Sequence, residues 1–270
     1  MNTKTKIIDY YTNSYSEKTR LEEPRLLIEL ARSQDIILRY LPKPPAGILD
    51  IGGAAGVYSA WLAKLGYSVK LIDIVPLHVQ QASELSATQP ESPFDAVIGD
   101  ALNLPEADNS QDAVLLMGPL YHLIDKKDRI KALSEAHRVL KPGGFVICAA
   151  ISRYASLLDG LLDNTLDVPE FKEIVERDLT TGQHLPGNPL YFTDCYMHGM
   201  DELSAEIVES GFKVKDMLAV EGVCWLLKDL PARWANPRER AQLLYALGKM
   251  EKEPKLMEAS AHFIGIGIKS

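Results

Sequence analysis

The chain has 270 residues, 29 Lys and Arg against 37 Asp and Glu for a formal charge of −8, and 46% apolar and 24% charged residues. That length carries one large α/β domain with an appendage but is short for two full domains, and the composition argues against disordered and fibrous architectures. The acidic charge and scattered basic residues argue against a broad nucleic-acid footprint, which depends on clustered Lys and Arg to displace counterions.

Three cysteines, Cys148, Cys195 and Cys224, are widely spaced and odd in number, which fits reduced thiols better than a disulfide framework or a zinc knuckle. Met1 to Tyr10 lacks an apolar signal core, and no stretch approaches the roughly 20 apolar residues that span a bilayer. The expectation is a cytoplasmic protein with neither a nucleic-acid nor a membrane partner. A homodimer stays open.

Along the chain, Leu26, Leu27, Leu30, Ile37, Leu38 and Leu41 recur at three- and four-residue steps, predicting a helix that ends at Pro42. Ala46 to Ile51 reads as a strand, followed by a glycine-rich turn and an amphipathic helix from Val57 to Leu65. Ser68 to Asp73 and Leu77 to Ala87 repeat the strand-helix unit, and Phe94 to Gly99 adds a third strand. Gln111 to Met117 is a fourth, Lys126 to Leu140 its helix, Lys141-Pro-Gly-Gly144 a turn, and Phe145 to Ala150 a fifth strand. Within that helix, Lys126, Lys127, Arg129 and Lys131 read as a solvated face.

The alternation implies a parallel sheet. From Ser152 to Gly199 the pattern is irregular, with two helical pieces, and reads as an inserted lid. A helix over Asp201 to Ser210, a strand over Phe212 to Val220, a helix around Arg238 to Lys252 and a last strand over His262 to Lys269 complete the chain. The reading is one domain. It comprises an N-terminal helical cover (1–45), a core (46–150), the lid (151–200) and a C-terminal part of the sheet with a helical insert (201–270).

A glycine-rich strand-to-helix turn lets backbone approach a ligand where a Cβ would collide, at the carboxyl edge of the sheet. The Gly-x-Gly-x-x-Gly register of a dinucleotide site starts at Gly52 but meets Ala54 and Val57, so a pyrophosphate reading is weakened. Asp50, in the strand just before the turn, either braces the loop backbone or faces a cationic ligand.

Leu49-Asp50-Ile51-Gly52-Gly53-Ala54-Ala55-Gly56 resembles the first motif of the class I S-adenosylmethionine-dependent methyltransferases, with Ala54 in place of the middle glycine. Asp73, Gly99-Asp100-Ala101 and Lys141-Pro-Gly-Gly144 follow in the family's order, and the resemblance covers about residues 46 to 150. It implies a Rossmann-like fold with a seven-stranded, mostly parallel sheet and helices on both faces. It further implies S-adenosylmethionine as cofactor, with S-adenosylhomocysteine as product. Under the same resemblance Asp73 holds the ribose hydroxyls, next to Ile74, Asp100 accepts from the adenine amino group, and Ala101 and Leu102 line the ring.

Methyl transfer from a sulfonium is an in-line displacement, so the protein has to align a nucleophile and exclude water. In the family the residues after the fourth strand face both reactants, here Met117-Gly118-Pro-Leu-Tyr121-His122-Leu123. The Gly118 carbonyl is expected at the methionine amine, and Tyr121 and His122 are candidates to orient or deprotonate the acceptor; a packed loop histidine is the competing reading of His122. Tyr10, Tyr11, Tyr15, Arg20 and Glu22 resemble an aromatic cover over the cofactor, against the alternative of an ordinary aromatic core stripe.

In the lid, Arg153 offers either bidentate recognition of an acceptor carboxylate or phosphate or a surface ion pair. His184, Tyr191, Tyr196 and His198 are placed to roof the acceptor. No ligand spacing among the histidines suggests a metal. The function that follows is methyl transfer to an N, O or S atom of a small-molecule acceptor. The alternatives are a catalytically weak S-adenosylmethionine-binding regulatory protein and an NAD-dependent oxidoreductase.

Overall fold

Residues 3–24 and 26–270 are described by a computed structural model, Glu22 in its backbone only. Helix α1 (Thr3–Asn13), a 3-10 turn (Glu17–Glu22) and α2 (Leu27–Tyr40) precede the sheet. The buried face of α2 differs from the predicted leucine stripe: Ile28, Ile36 and Ile37 are interior together with Glu29 and Arg32, while Leu38 is exposed. Arg32 is buried because it donates to the Val220 carbonyl and pairs with Glu251, partners that lie 188 and 219 residues away along the chain.

The repeating unit then runs β1 (Gly47–Ile51), α3 (Val57–Lys64), β2 (Ser68–Asp73), α4 (Pro76–Ala87), β3 (Asp95–Ile98), β4 (Gln111–Leu116), α5 (Pro119–His122), α6 (Lys126–Val139) and β5 (Leu140–Ser152). These strands lie in the order β3-β2-β1-β4-β5, all parallel. Ile48 sits between Val69 and Ala113 in register. Helices cover both faces, so the central strands are apolar almost throughout rather than alternating. One core layer gathers Ile48, Leu71 and Leu115, and the opposite one Leu49, Ile72 and Leu116.

Lys141 to Gly144 forms no separate turn. Strand β5 starts at Leu140 and runs through it, Gly143 takes φ 82°, and Gly143 and Gly144 exchange backbone hydrogen bonds of 2.8 and 3.0 Å with Lys269. The partner strand absorbs the twist as a register shift between Gln111 and Ala113.

After β5 come α7 (Ala155–Asp163), α8 (Pro169–Thr181), β6 (Gln183–His184), β7 (Cys195–His198), α9 (Met200–Glu209) and β8 (Lys213–Ala219). They are followed by α10 (Leu230–Ala235), α11 (Pro237–Met250), α12 (Pro254–Met257) and β9 (His262–Ile268). All seven expected strands are present, and β8 and β9 close the sheet antiparallel on β5. Two short strands make nine. Ile151 pairs with His262 of β9 on one edge and with Met197 of β7 on the other, past the end of β4. The helical stretch after β8 builds a small core of its own from Cys224, Leu230, Trp234, Leu243 and Leu247, closed by Ile28 of α2.

The basic face of α6 is only partly solvated. Lys126, Lys127 and Lys131 are exposed, but Arg129 is buried, with its guanidinium on Glu206 and 3.7 Å from the Tyr196 ring centroid. Among the described residues, no helix is long and apolar enough to cross a membrane.

Candidate active site

The turn after β1 opens the site. Gly52 donates its N–H to the Ile72 carbonyl at 2.7 Å, tying the turn to β2. A Cβ on Gly52 would stand 2.6 Å from Pro119, and one on Gly53 2.6 Å from Leu71 and 2.7 Å from Asp50, so both positions need glycine for close approach. Ala54 lies in the left-handed region at φ 49°, which costs an L side chain roughly 1–2 kcal/mol. Its N–H donates to Asp73 Oδ2 at 2.9 Å, so a carboxylate holds the strained residue.

A cavity of about 650 Å³ lies at the carboxyl edge of the sheet. Its walls come from Gly52 to Ala54 in the turn, Asp73 and Ile74 after β2, Asp100 to Leu102 after β3, and Met117 and Gly118 after β4. Asp73 is buried, and its other oxygen accepts from Val75 N–H at 2.8 Å and faces His78 Nδ1 at 3.3 Å. Asp100 accepts from Leu102 N–H at 2.9 Å.

Helix α1 forms the remaining wall and is fastened across the cavity at three points. Lys4 reaches Asp100 at 3.1 Å, Lys6 reaches Asp194 at 2.8 Å, and the Tyr11 hydroxyl meets His122 Nε2 at 3.0 Å. Burial pushes the His122 imidazole down to about 4, so it is neutral at physiological pH, and its Nδ1 is buried without a hydrogen-bond partner among the described residues. Burial raises the Tyr11 and Tyr121 phenols, which stay protonated.

A second cavity, of about 510 Å³, shares Tyr11, Glu17, Arg20 and Tyr121 with the first. The rings of Tyr10, Tyr15, Phe171, Phe192 and Trp225 line it, together with Glu29, Glu221 and His262. Tyr10 and Tyr15 stack at 5.7 Å, and Tyr11 and Phe192 meet Tyr10 edge-on. Arg20 clamps Glu29 with two hydrogen bonds of 2.9 and 2.8 Å and donates through Nε to one oxygen of Glu17 at 3.0 Å.

His262 Nδ1 pairs with Glu221 at 2.7 Å, and Glu221 also accepts from Ser260 and from the His262 backbone. Burial opposes charge on His262, but the Glu221 and Glu29 carboxylates outweigh it and push the imidazole up to about 9. Ligand-type atoms of Glu29, Glu221 and His262 gather within 4.8 Å, a grouping of the kind that holds metals and that sequence spacing did not foresee. Within the grouping Arg20 pairs with Glu29 and His262 with Glu221, which links the four side chains in a ladder of charges.

A family model described as a methyltransferase domain matches residues 49–148, the stretch that contributes the turn, Asp73, Asp100 and Gly118. The similarity to a methyltransferase domain thus extends over little more than a third of the chain, and the fold around it is that of S-adenosylmethionine-dependent methyltransferases of known structure. The chain is similar to an uncharacterized methyltransferase of Mycobacterium tuberculosis, 32% identical over 143 residues that make up 51% of this chain and 50% of that one. It is also similar to a ubiquinone/menaquinone biosynthesis C-methyltransferase of Ruegeria sp., 28% identical over 170 residues, 60% of this chain and 66% of that protein. The chain therefore spans about half the length of the first relative. The fold matches the crystal structure of an S-adenosylmethionine-dependent methyltransferase from Mesorhizobium loti with a TM-score of 0.61 at 15% identity, over 90% of this chain and 100% of that one.

Of the residues singled out from sequence, Gly52, Gly53, Ala54, Asp73, Ile74, Asp100, Ala101, Leu102, Met117 and Gly118 all line the first cavity, as do Tyr11, Arg20, Tyr121 and His122. Asp50 and Gly56 do not. Asp50 is fully buried beneath the turn, accepts from Ser59 at 2.7 Å and is pushed up to about 6 by burial, which leaves it the bracing role. Gly56 faces Phe94 and Ala82, where a Cβ would stand 3.0 and 3.2 Å from them. Tyr15 lines only the second cavity, and the side chain of Glu22 lies outside the described residues. Tyr10 and Tyr11 sit on α1 and are buried in one apolar cluster with Ile7 and Val75, as the core-stripe reading expects, while Tyr11 also lines the first cavity.

Three residues expected in chemistry are structural. His198 is buried in β7, bonded to Glu206 at 3.3 Å, and lines neither cavity. Arg153 is consumed by Glu202, the Met197 carbonyl and Tyr196, also away from both cavities. His184 reaches the second cavity, but Asp178 at 2.8 Å and the Tyr191 carbonyl at 2.7 Å occupy both its ring nitrogens.

Residues missed from sequence include His78, Glu17, Glu29, Glu221 and His262. His262 left one signal. The first residue of a strand antiparallel to the parallel set must lie at their carboxyl edge, where ligands bind.

Proposed function

We propose that this chain transfers the methyl group of S-adenosylmethionine to a nitrogen, oxygen or sulfur atom of a small acceptor and releases S-adenosylhomocysteine. The observation that carries the proposal is the pair of cavities meeting at Tyr11, Glu17, Arg20 and Tyr121. An in-line displacement needs one compartment for each reactant and a shared wall where they touch.

The first cavity fits the cofactor by its donor set. Asp73 is assigned to the ribose, since its Oδ2 accepts only from Ala54 N–H and keeps lone-pair capacity, while Oδ1 meets both Val75 N–H and His78 Nδ1. Asp100 is assigned to the adenine amino group, with Lys4 sharing the carboxylate or yielding it, and the Gly118 carbonyl to the methionine amine. The bound cofactor supplies an electrophilic methyl group. Tyr11 and Tyr121 line up the acceptor and keep water out, and they act as neutral phenols.

The Ruegeria relative is named for a carbon acceptor. A C–H acceptor requires a base to strip its proton. In the first cavity His122 stands at about 4 and the phenols are raised, which supports a heteroatom that brings its own lone pair.

The test is calorimetry. Wild type is expected to bind S-adenosylmethionine saturably and NAD not at all, and Asp73→Ala to weaken cofactor binding by more than about tenfold, the scale of a lost charged hydrogen-bond pair. Undiminished binding by that variant would sink the assignment. Release of S-adenosylhomocysteine in the presence of acceptors separates an enzyme from a cofactor-binding regulatory protein.

A further inference from the structure

We propose that the second cavity takes an amine, an acceptor with an aromatic or apolar body whose protonated nitrogen is received by the carboxylates at the junction, Glu17 first. The proposal rests on the methyl-transfer reading above and names its acceptor class.

Charge in the wall decides the sign. Among the described residues the lining carries the carboxylates Glu17, Glu23, Glu29 and Glu221 against two cations, Arg20 and His262. Both cations are committed: Arg20 spans the two oxygens of Glu29, and His262 is paired with Glu221. An acceptor carboxylate or phosphate therefore meets no unpaired cation among the described wall residues and faces surplus negative charge. Arg153, the natural candidate to receive such an anion, is turned away onto Glu202.

A cation finds the opposite. Glu17 belongs to both cavities, and Arg20 donates to a single one of its oxygens. Tyr10, Tyr15 and Trp225 line the same cavity, and aromatic rings attract an ammonium by roughly 0.5–2 kcal/mol where a face is open to it. An uncharged alcohol of the same shape would forgo both contacts.

The chemistry balances with the residues present. The ammonium held by Glu17 stands in equilibrium with the free amine, its proton being released to solvent water before transfer. The freed nitrogen lone pair then forms the N–C bond while the C–S bond breaks and its electron pair stays on sulfur. The products are an N-methylammonium ion, a neutral thioether and one released proton.

The experiment uses the full chain loaded with S-adenosylhomocysteine and three ligands of matched body, 2-phenylethylamine, 2-phenylethanol and 3-phenylpropionate, titrated by calorimetry. Turnover with S-adenosylmethionine is followed in parallel. The amine is expected to bind at least about tenfold tighter than the alcohol, the scale of one charged hydrogen bond, the carboxylate weakest of all, and N-methylation only with the amine. Glu17→Gln is expected to erase most of the gap between amine and alcohol, and Glu17→Asp to restore part of it, a pattern that a general loss of fold would not give. Tighter binding of the alcohol or carboxylate, or no saturable binding of the amine, overturns the proposal. Failure of wild type to bind S-adenosylmethionine would instead overturn the methyl-transfer reading itself, so the two failures are distinguishable.

Discussion

The two cavities are built by different means. The first is made largely of backbone at strand ends: Gly52 and Gly53 bring the chain close, and single acids stand at fixed places after β2 and β3. The second is made of side chains from α1, the 3-10 turn, α2, the lid and the start of β9, held by an ion-pair ladder from Arg20 through Glu29 to His262 and Glu221. A backbone cradle is specified by a few residues in a short window. A side-chain cavity depends on where distant segments land, so its lining is free to change while the first cavity stays fixed.

This contrast can be broken most directly at Arg20. In Arg20→Met the nearly buried Glu29 loses its counter-charge, and removing one partner of such a pair costs about 3 kcal/mol. Urea unfolding should show that loss, and a change below about 1 kcal/mol, the range of a surface pair, would mean that the ladder does not hold the second cavity together.

The far end of the ladder gives a pH test. The folded-state value of His262, about 9, lies above its ordinary 6.5, so its contribution to stability is complete below about pH 6.5 and is lost as pH rises through about 9. The stability gap between wild type and His262→Gln should be widest at pH 6 and close by pH 10. A gap that widens with pH contradicts the assigned charge.

On the cofactor side, Ala54→Gly should relieve the left-handed strain and raise stability by up to about 1 kcal/mol, after the added chain entropy of glycine is subtracted. A fall in the melting temperature would show that the alanine methyl is itself needed. The smallest effect is expected for Arg153→Gln: less than about 1 kcal/mol in stability, typical of a part-exposed pair, and an unchanged KM for the acceptor. A raised KM would return Arg153 to the acceptor site.

The same division explains what could be read in advance. Every predicted strand is present because each is a short apolar run between turn signals, and such runs are set locally. The order of turn, Asp73 and Asp100 located the first cavity before any coordinates, since all three occupy carboxyl ends of neighbouring parallel strands. His198 and Arg153 misled because residue type shows what a side chain can do but not which partner reaches it first. Glu206 of α9 takes His198, and Glu202 of the same helix takes Arg153. Arg129 left the solvated face for the same reason, drawn inward by Glu206 and Tyr196.

By itself, the sequence determined the alternating α/β sheet and the cofactor edge, because hydrophobic period, glycine turns and strand-end acids act over a few residues. Tertiary structure alone decided that α1 closes the first cavity through Lys4, Lys6 and Tyr11. It also decided that Arg20, Glu29, Glu221 and His262, scattered over more than 240 residues, form one wall. Those contacts are electrostatic pairings between segments brought together only when the sheet closes, and no local pattern encodes which charge will meet which.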